Sequence, residues 1–264
     1  MSRWWFKANS YLKYLLKAKT KYVIHSPFIF EIVKQVLDNK EPDKDLRKLD
    51  KMRKLVFKRT TIVETTDFGA LSGNKPYLTL FKPLGKIARK RSQKKKYLHL
   101  LFRLAKYFQP EDMLEFGTSV GISASYLGKA CHFRKFVTME GCAVLASHAQ
   151  DAFNHLNISG IQIRTGNFDV LLDKVLKDFS KLDMVFFDGN HRKQATIDYF
   201  NKCLPKAHED TVFIFDDIRW SRGMEEAWNY VRNHEKVTVS VDLYQMGIVF
   251  FRKGIAPQNF VIRY

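Results

Sequence analysis

The chain has 264 residues, enough for a catalytic domain with an extension, and 45% are hydrophobic, with 22 Phe and 11 Tyr, which excludes a disordered polymer. No apolar run reaches the roughly 18 residues that span a bilayer, and the start lacks the apolar stretch and cleavage site of a secretory signal. Charge is uneven: residues 1–110 hold 27 Lys and Arg against 8 Asp and Glu, whereas residues 111–264 hold 18 against 19, so the net +18 lies in the first part. Such a bias suits an anionic partner for residues 1–110, whether membrane surface, nucleic acid or acidic substrate, with a solvated basic face as the plain alternative. Cys131, Cys142 and Cys203 are odd in number and lack metal-site spacing, so they read as reduced and buried, and the protein as cytoplasmic.

Residues 3–24 open the chain as a basic amphipathic segment. Trp4, Trp5, Tyr11, Leu12, Leu15 and Leu16 alternate with Lys7, Lys13, Lys17, Lys19 and Lys21. Such a segment packs on the rest of the chain or on a second copy, or lies on an anionic membrane; packing is the favoured reading. After Ser26-Pro27, residues 28–39 read as a short helix. The charged stretch 40–60 continues as helix after Pro42. Residues 61–76, rich in Thr, Gly and Asn, read as a loop. The charge run 86–96 reads as a solvated face, and 97–108 has helical apolar spacing that Pro110 ends.

From residue 111 the rhythm becomes strand–helix alternation. Apolar strands are expected at 113–116, 136–140, 161–165, 184–187 and 211–215, with helices near 122–131, 143–155, 169–178, 193–203 and 221–234. Two strands at 237–242 and 247–251 form a terminal antiparallel hairpin. The fold class is therefore α/β: a Rossmann-like doubly wound sheet of seven strands, the last antiparallel, over residues 111–264, with a mostly helical N-terminal extension over 1–110.

Five strand ends carry the chemistry. In LEFGTSVGIS (114–123) a strand meets a turn holding Gly117, Thr118 and Gly121, with Glu115 just before it. Glycines let a ligand approach the backbone, and a carboxylate there suits a cationic or amine-bearing ligand better than a pyrophosphate. Glu140 ends the next strand in VTMEG and can accept from both hydroxyls of a ribose. Asn167 and Phe168 in TGNFD are candidates to bond and stack on an adenine, with a core aromatic as the alternative for Phe168. MVFFDGNH (184–191) and FIFDDIRWS (213–221) end in Asp188, Asp216 and Asp217. Three converging carboxylates suit a hard divalent cation such as Mg²⁺, and His191 suits a general base. Helix capping by the aspartates and a surface histidine are the competing readings.

Taken together, residues 113–251 resemble class I S-adenosylmethionine-dependent methyltransferases, and most closely the metal-dependent small-molecule O-methyltransferases, including the catechol and macrolide-sugar types. The resemblance implies that Glu115, Gly117, Thr118 and Gly121 hold the methionine end of S-adenosyl-L-methionine, and that Glu140 holds its ribose. It implies Asn167 and Phe168 at the adenine, and Asp188 beside the cofactor and on the metal. Asp216 and Asp217, 28 residues on, would complete the Mg²⁺ set. His191 matches the base of the sugar-modifying branch; the catechol branch has Lys there and Asp-Asn for the pair, so this chain departs from it. The segments IHSPF (24–28), DFGA (67–70) and LLFRL (100–104) resemble the extension of methyltransferases from Bacteroidetes-type bacteria, with Leu71 and Gly73-Asn74 departing from their pattern. The implied partners are a small-molecule acceptor, a second copy in a homodimer and an anionic membrane surface. A nucleic-acid methyltransferase is the first rival, but Asp188-Gly-Asn-His191 is not the Asn/Asp-Pro-Pro-aromatic motif of base amino methylation. A cofactor-binding module without catalysis, serving at a membrane, is the second; three converging carboxylates argue against it.

Overall fold

The computed structural model describes residues 3–19, 25–67 and 77–264. Helix α1 (Arg3–Lys17) opens it. Helix α2 (Pro27–Ile32) starts where Ser26 Oγ accepts from the Ile29 amide and Pro27 fills the first turn, then runs into a π-helical turn at Val33–Leu37. Asp43 caps α3 (Lys44–Phe57) by accepting from the Asp45 and Leu46 amides, and Leu46, Leu49, Met52 and Val56 form its buried stripe. Of IHSPF, Ile24 lies outside the described residues, as do residues 68–70 of DFGA and the positions 71–76 that follow.

The expected loop over 61–76 is corrected in its first part. Strand β1 (Ile62–Asp67) pairs antiparallel with β2 (Leu78–Pro83), from Ile62 opposite Pro83 to Asp67 opposite Leu78. The β-branched run Ile62, Val63, Thr65 and Thr66 alternates, with Val63 and Thr65 buried and Ile62 and Glu64 exposed, and this period outweighs the loop-like composition that follows. Part of the charge run also folds: α4 (Leu84–Arg91) buries Leu84, Ile87 and Ala88 and turns its lysines and arginines outward. Helix α5 (Lys95–Phe108) then buries seven residues from Tyr97 to Ala105.

The alternation beyond residue 111 is present. The elements are β3 (Asp112–Phe116), α6 (Ile122–Ala130), β4 (Lys135–Glu140), α7 (Ala143–His155), β5 (Ile161–Thr165), α8 (Phe168–Lys177), β6 (Leu182–Phe187), α9 (Lys193–Cys203), β7 (Ala207–Phe215), α10 (Arg222–Arg232), β8 (Val239–Asp242), β9 (Gly247–Phe250) and β10 (Gln258–Val261). The α/β sheet has eight strands, not seven. The additional strand, β10, has the sequence QNFV, too short and too polar to stand out by its pattern.

The chain divides into two compact units, Asn39–Val175 and Met1–Asp38 with Leu176–Tyr264. In the first, β3, β4 and β5 are parallel neighbours, with Met113 opposite Phe136 and Phe136 opposite Ile161. Every residue of β3 is buried, as expected of a parallel strand covered on both faces. Asp50 on α3 accepts from Tyr126 OH at 2.7 Å, pairs with Lys95 Nζ at 2.8 Å and meets His99 Nε2 at 3.1 Å, joining α3, α5 and α6.

In the second unit the strand order is β10-β8-β9-β7-β6. Strands β6 and β7 are parallel; β9 runs antiparallel to both β7 and β8, as the terminal hairpin requires, and β10 lies parallel to β8. The first 38 residues belong here. Tyr14 OH donates to the Ile262 carbonyl at 2.6 Å, Lys19 bridges to Ile262, and Phe28 meets Phe250 edge-on at 5.1 Å. A buried lock ties the hairpin to the loop after β7. Arg219 donates from both terminal nitrogens to Asp242 at 2.7 Å and to the Tyr244 carbonyl at 3.0 Å, while Trp228 Nε1 donates to Asp242 at 3.2 Å. Among the described residues no helix is long and apolar enough to cross a membrane.

Candidate active site

Three parallel strands in the first unit deliver their following loops to one edge. After β3, the Gly117 and Thr118 amides both donate to the Met139 carbonyl at 3.0 Å, fixing the turn against the end of β4. The turn closes with the Gly121 amide on the Thr118 carbonyl at 2.8 Å. Gly121 has φ 77°, and a Cβ there would lie 3.0 Å from Ala149 Cα and 2.9 Å from Phe153, so only glycine lets α6 start this close to α7. Ser119, in the middle of the turn, has φ 49°, a conformation uncommon outside glycine.

The turn is built around two carboxylates. Glu140 Oε2 accepts from the Ser119 amide at 2.6 Å and Oε1 from the Cys142 amide at 3.0 Å, while its carbonyl holds the Gly166 amide at 2.8 Å. One side chain thus ties the loops after β3 and β4, and its backbone ties the loop after β5. Glu115 is wholly buried; Oε2 accepts from Thr138 Oγ1 at 2.6 Å, and Oε1 has no hydrogen-bond partner. Burial pushes its carboxyl up to about 7, against the lowering effect of Ser123 and Thr138, with the Glu140 charge adding to the rise. Thr118, also buried, shares a 2.6 Å hydroxyl contact with Thr138. An orphaned buried acceptor on Glu115, beside the Glu140 carboxylate, fits a ligand with a cationic end.

Asn167 and Phe168 take other contacts as well. Asn167 is exposed, and its Oδ1 accepts from the Asp169 amide at 2.9 Å, which caps α8. Half-buried Phe168 meets Phe116 edge-on at 6.0 Å.

In the second unit, β6 and β7 pair in register, Phe187 opposite Phe215, so Asp188 and Asp216 follow paired residues. The Asp216 amide donates to the Phe187 carbonyl at 3.0 Å. His191 Nε2 lies 3.8 Å from Asp188 Oδ1 and 3.9 Å from Asp217 Oδ2. Its ring stands 6.0 Å from the Trp220 ring, and Lys7 Nζ sits 4.8 Å over that indole. Left-handed residues shape both loops: Asn190 at φ 51° and Asp217 at φ 52°, conformations that collect at functional sites. Asn190 Nδ2 donates to Tyr199 OH at 3.0 Å and steadies the loop.

The structure brings Asp188, His191 and Asp217 together, and separately Glu115, Gly117, Thr118, Gly121 and Glu140. The expected Mg²⁺ set is not shown: among the described residues no group of three His, Cys, Asp or Glu is placed to hold a metal. Asp216 continues the buried end of β7, while the left-handed turn at Asp217 brings its carboxylate to 3.9 Å from the imidazole. The aspartates are hard oxygen donors of the kind a divalent cation takes. Ser119, Thr138 and Cys142 escaped the sequence reading because two of them act through backbone amides. Trp220 and Lys7 were visible only as an aromatic and a charge.

This arrangement defines a class of protein. Residues 114–218 match the model of a family described as a methyltransferase domain. More particularly, the chain is similar in fold to O-methyltransferases of known structure. That of Bacillus cereus in complex with SAH is 18% identical, with a TM-score of 0.55, over 84% of this chain and 97% of its own. The O-methyltransferase TomG of Streptomyces achromogenes, involved in tomaymycin synthesis and complexed with SAM, is 16% identical with a TM-score of 0.56 over 85% and 95%. The SAH-bound methyltransferase PaMTH1 of Podospora anserina is 11% identical with a TM-score of 0.58 over 87% and 97%. No curated protein matches the chain significantly.

Proposed function

We propose that this protein transfers a methyl group from S-adenosylmethionine to the hydroxyl of a small-molecule acceptor, with His191 as general base. The observation that carries the proposal is the His191 Nε2 atom held between the carboxylates of Asp188 and Asp217. The SAH and SAM found in the fold neighbours support the cofactor, and the O-methyltransferases among them support an oxygen acceptor.

When bound, S-adenosylmethionine supplies a sulfonium-activated methyl group. Glu140 accepts from the ribose hydroxyls, and the ionised Glu115 complements the cationic methionine end. The glycines leave the backbone open to the ligand, with Thr118, Asn167 and Phe168 as further contacts. Asp188 serves beside the cofactor as well as in the acid–histidine cluster. His191 takes the acceptor hydroxyl proton at Nε2, and Asp188 and Asp217 stabilise the imidazolium that forms. Transfer then needs alignment and exclusion of water rather than covalent help from the protein. In this reading the proton step rests on His191 and not on a cation. Residues 111–264 carry the methyltransferase chemistry in this reading, and residues 1–110 contribute to acceptor selection.

The test is methyl transfer from labelled S-adenosylmethionine across a panel of hydroxylated small molecules, with wild type and His191→Ala in parallel. Label appearing on an acceptor oxygen with the wild type alone supports the reading; label on nitrogen, or equal transfer by both proteins, overturns it.

A further inference from the structure

Among the described residues, helix α1 is held to its unit through Lys7, Ser10 and Tyr14. Tyr14 is buried and donates to the Ile262 carbonyl, Tyr244 OH donates to the Lys7 carbonyl at 3.0 Å, and Ser10 is buried beside them. At about 100° per residue, Trp5, Leu12 and Leu16 fall within roughly 40° of arc on the other side of the helix. They are 63%, 57% and 80% exposed, which is far from the usual fate of a tryptophan and two leucines aligned on one face.

The charge around this stripe identifies its occupant. Exposed Lys13 and Lys17 flank it, and exposed Lys19 follows the helix. No acidic residue occurs in α1, and residues 1–110 carry a large excess of Lys and Arg. A second copy docking through the same stripe would set lysines against lysines with no acid on either helix to offset them. A surface of anionic phospholipid headgroups instead offers apolar depth for Trp5, Leu12 and Leu16 and opposite charge for the flanking lysines. We propose that α1 docks this protein peripherally on an anionic lipid surface, its Trp5–Leu12–Leu16 face entering the headgroup–acyl boundary.

The experiment is co-sedimentation of the full chain with vesicles of phosphatidylglycerol and phosphatidylcholine, and with phosphatidylcholine alone. Binding is expected on the anionic vesicles and not on the neutral ones, and should weaken as salt rises. Leu12→Glu/Leu16→Glu should abolish it. Leu16→Ala, a milder change at an exposed position, should weaken it about tenfold, and Lys13→Gln and Lys17→Gln about fivefold each. All variants should keep the wild-type melting temperature and SAH response, which separates this proposal from the methyl-transfer reading. Failure of the wild type to bind anionic vesicles overturns it, as does binding indifferent to Leu12 and Leu16. A dimer in sedimentation velocity that Leu12→Glu/Leu16→Glu dissociates also overturns it, assigning the stripe to a second copy.

Discussion

His191 Nε2 lies 3.8 Å from Asp188 Oδ1, beyond hydrogen-bond length but within reach of an ion pair once the imidazole is charged. With Asp217 at a similar distance, both carboxylates stabilise the imidazolium that forms when the ring takes a proton. His191→Ala is therefore expected to lower turnover by about 10²–10⁴-fold, the usual worth of a general base. Steady-state kinetics with an identified acceptor, beside SAH calorimetry, check this; cofactor affinity should hold within about twofold.

In the proposed mechanism the proton passes to His191 itself. Turnover should then be unchanged by a chelator and by added Mg²⁺, with Asp188 and Asp217 facing the imidazole. Activity abolished by chelation and restored by Mg²⁺ would return Asp188, Asp216 and Asp217 to a cation.

Buried Glu115 makes stability depend on pH. Its carboxyl is raised by burial from 4.5 to about 7. A raised native value means that the folded state binds more protons than the unfolded one between these limits. Stability thus falls as pH rises through that window and levels off above 7. Glu115→Gln removes the titration, so the variant should gain on the wild type by on the order of 3 kcal/mol between pH 4.5 and pH 8. Urea unfolding of both proteins across this range measures it. Parallel curves would show Glu115 ionised throughout.

The Arg219–Asp242 lock joins the loop carrying Trp220 to the terminal hairpin. Asp242 is buried and satisfies Arg219 and Trp228 at once. Removing one partner strands the other charge, so Asp242→Asn is expected to destabilise the fold by about 3–5 kcal/mol, read as a lowered urea midpoint. An unchanged midpoint would mean that Arg219 finds another acceptor.

Much of this was legible from residue order. Apolar strands ending in Glu140, Asp188 and Asp216 signal a parallel sheet whose loops share an edge, and the Gly117–Gly121 turn reads directly as a close backbone approach. What escaped depends on tertiary partners. β1 looked like a loop because Thr and Gly weigh the composition of 61–76, while its pairing with β2 is nonlocal. β10 is recruited to β8 by a tail also held by Tyr14, far away in sequence. Sequence order cannot show the left-handed turn that brings Asp217 to 3.9 Å from His191.

The central claim is that the turn holding Glu115, Gly117 and Glu140 binds the methyl donor. Titration calorimetry with SAH tests it most directly. The account predicts binding by the wild type, weakened by roughly 1–3 kcal/mol in Glu140→Ala, the scale of a lost charged hydrogen bond. No heat of binding to the wild-type protein at millimolar SAH, or equal affinity in Glu140→Ala, would contradict it.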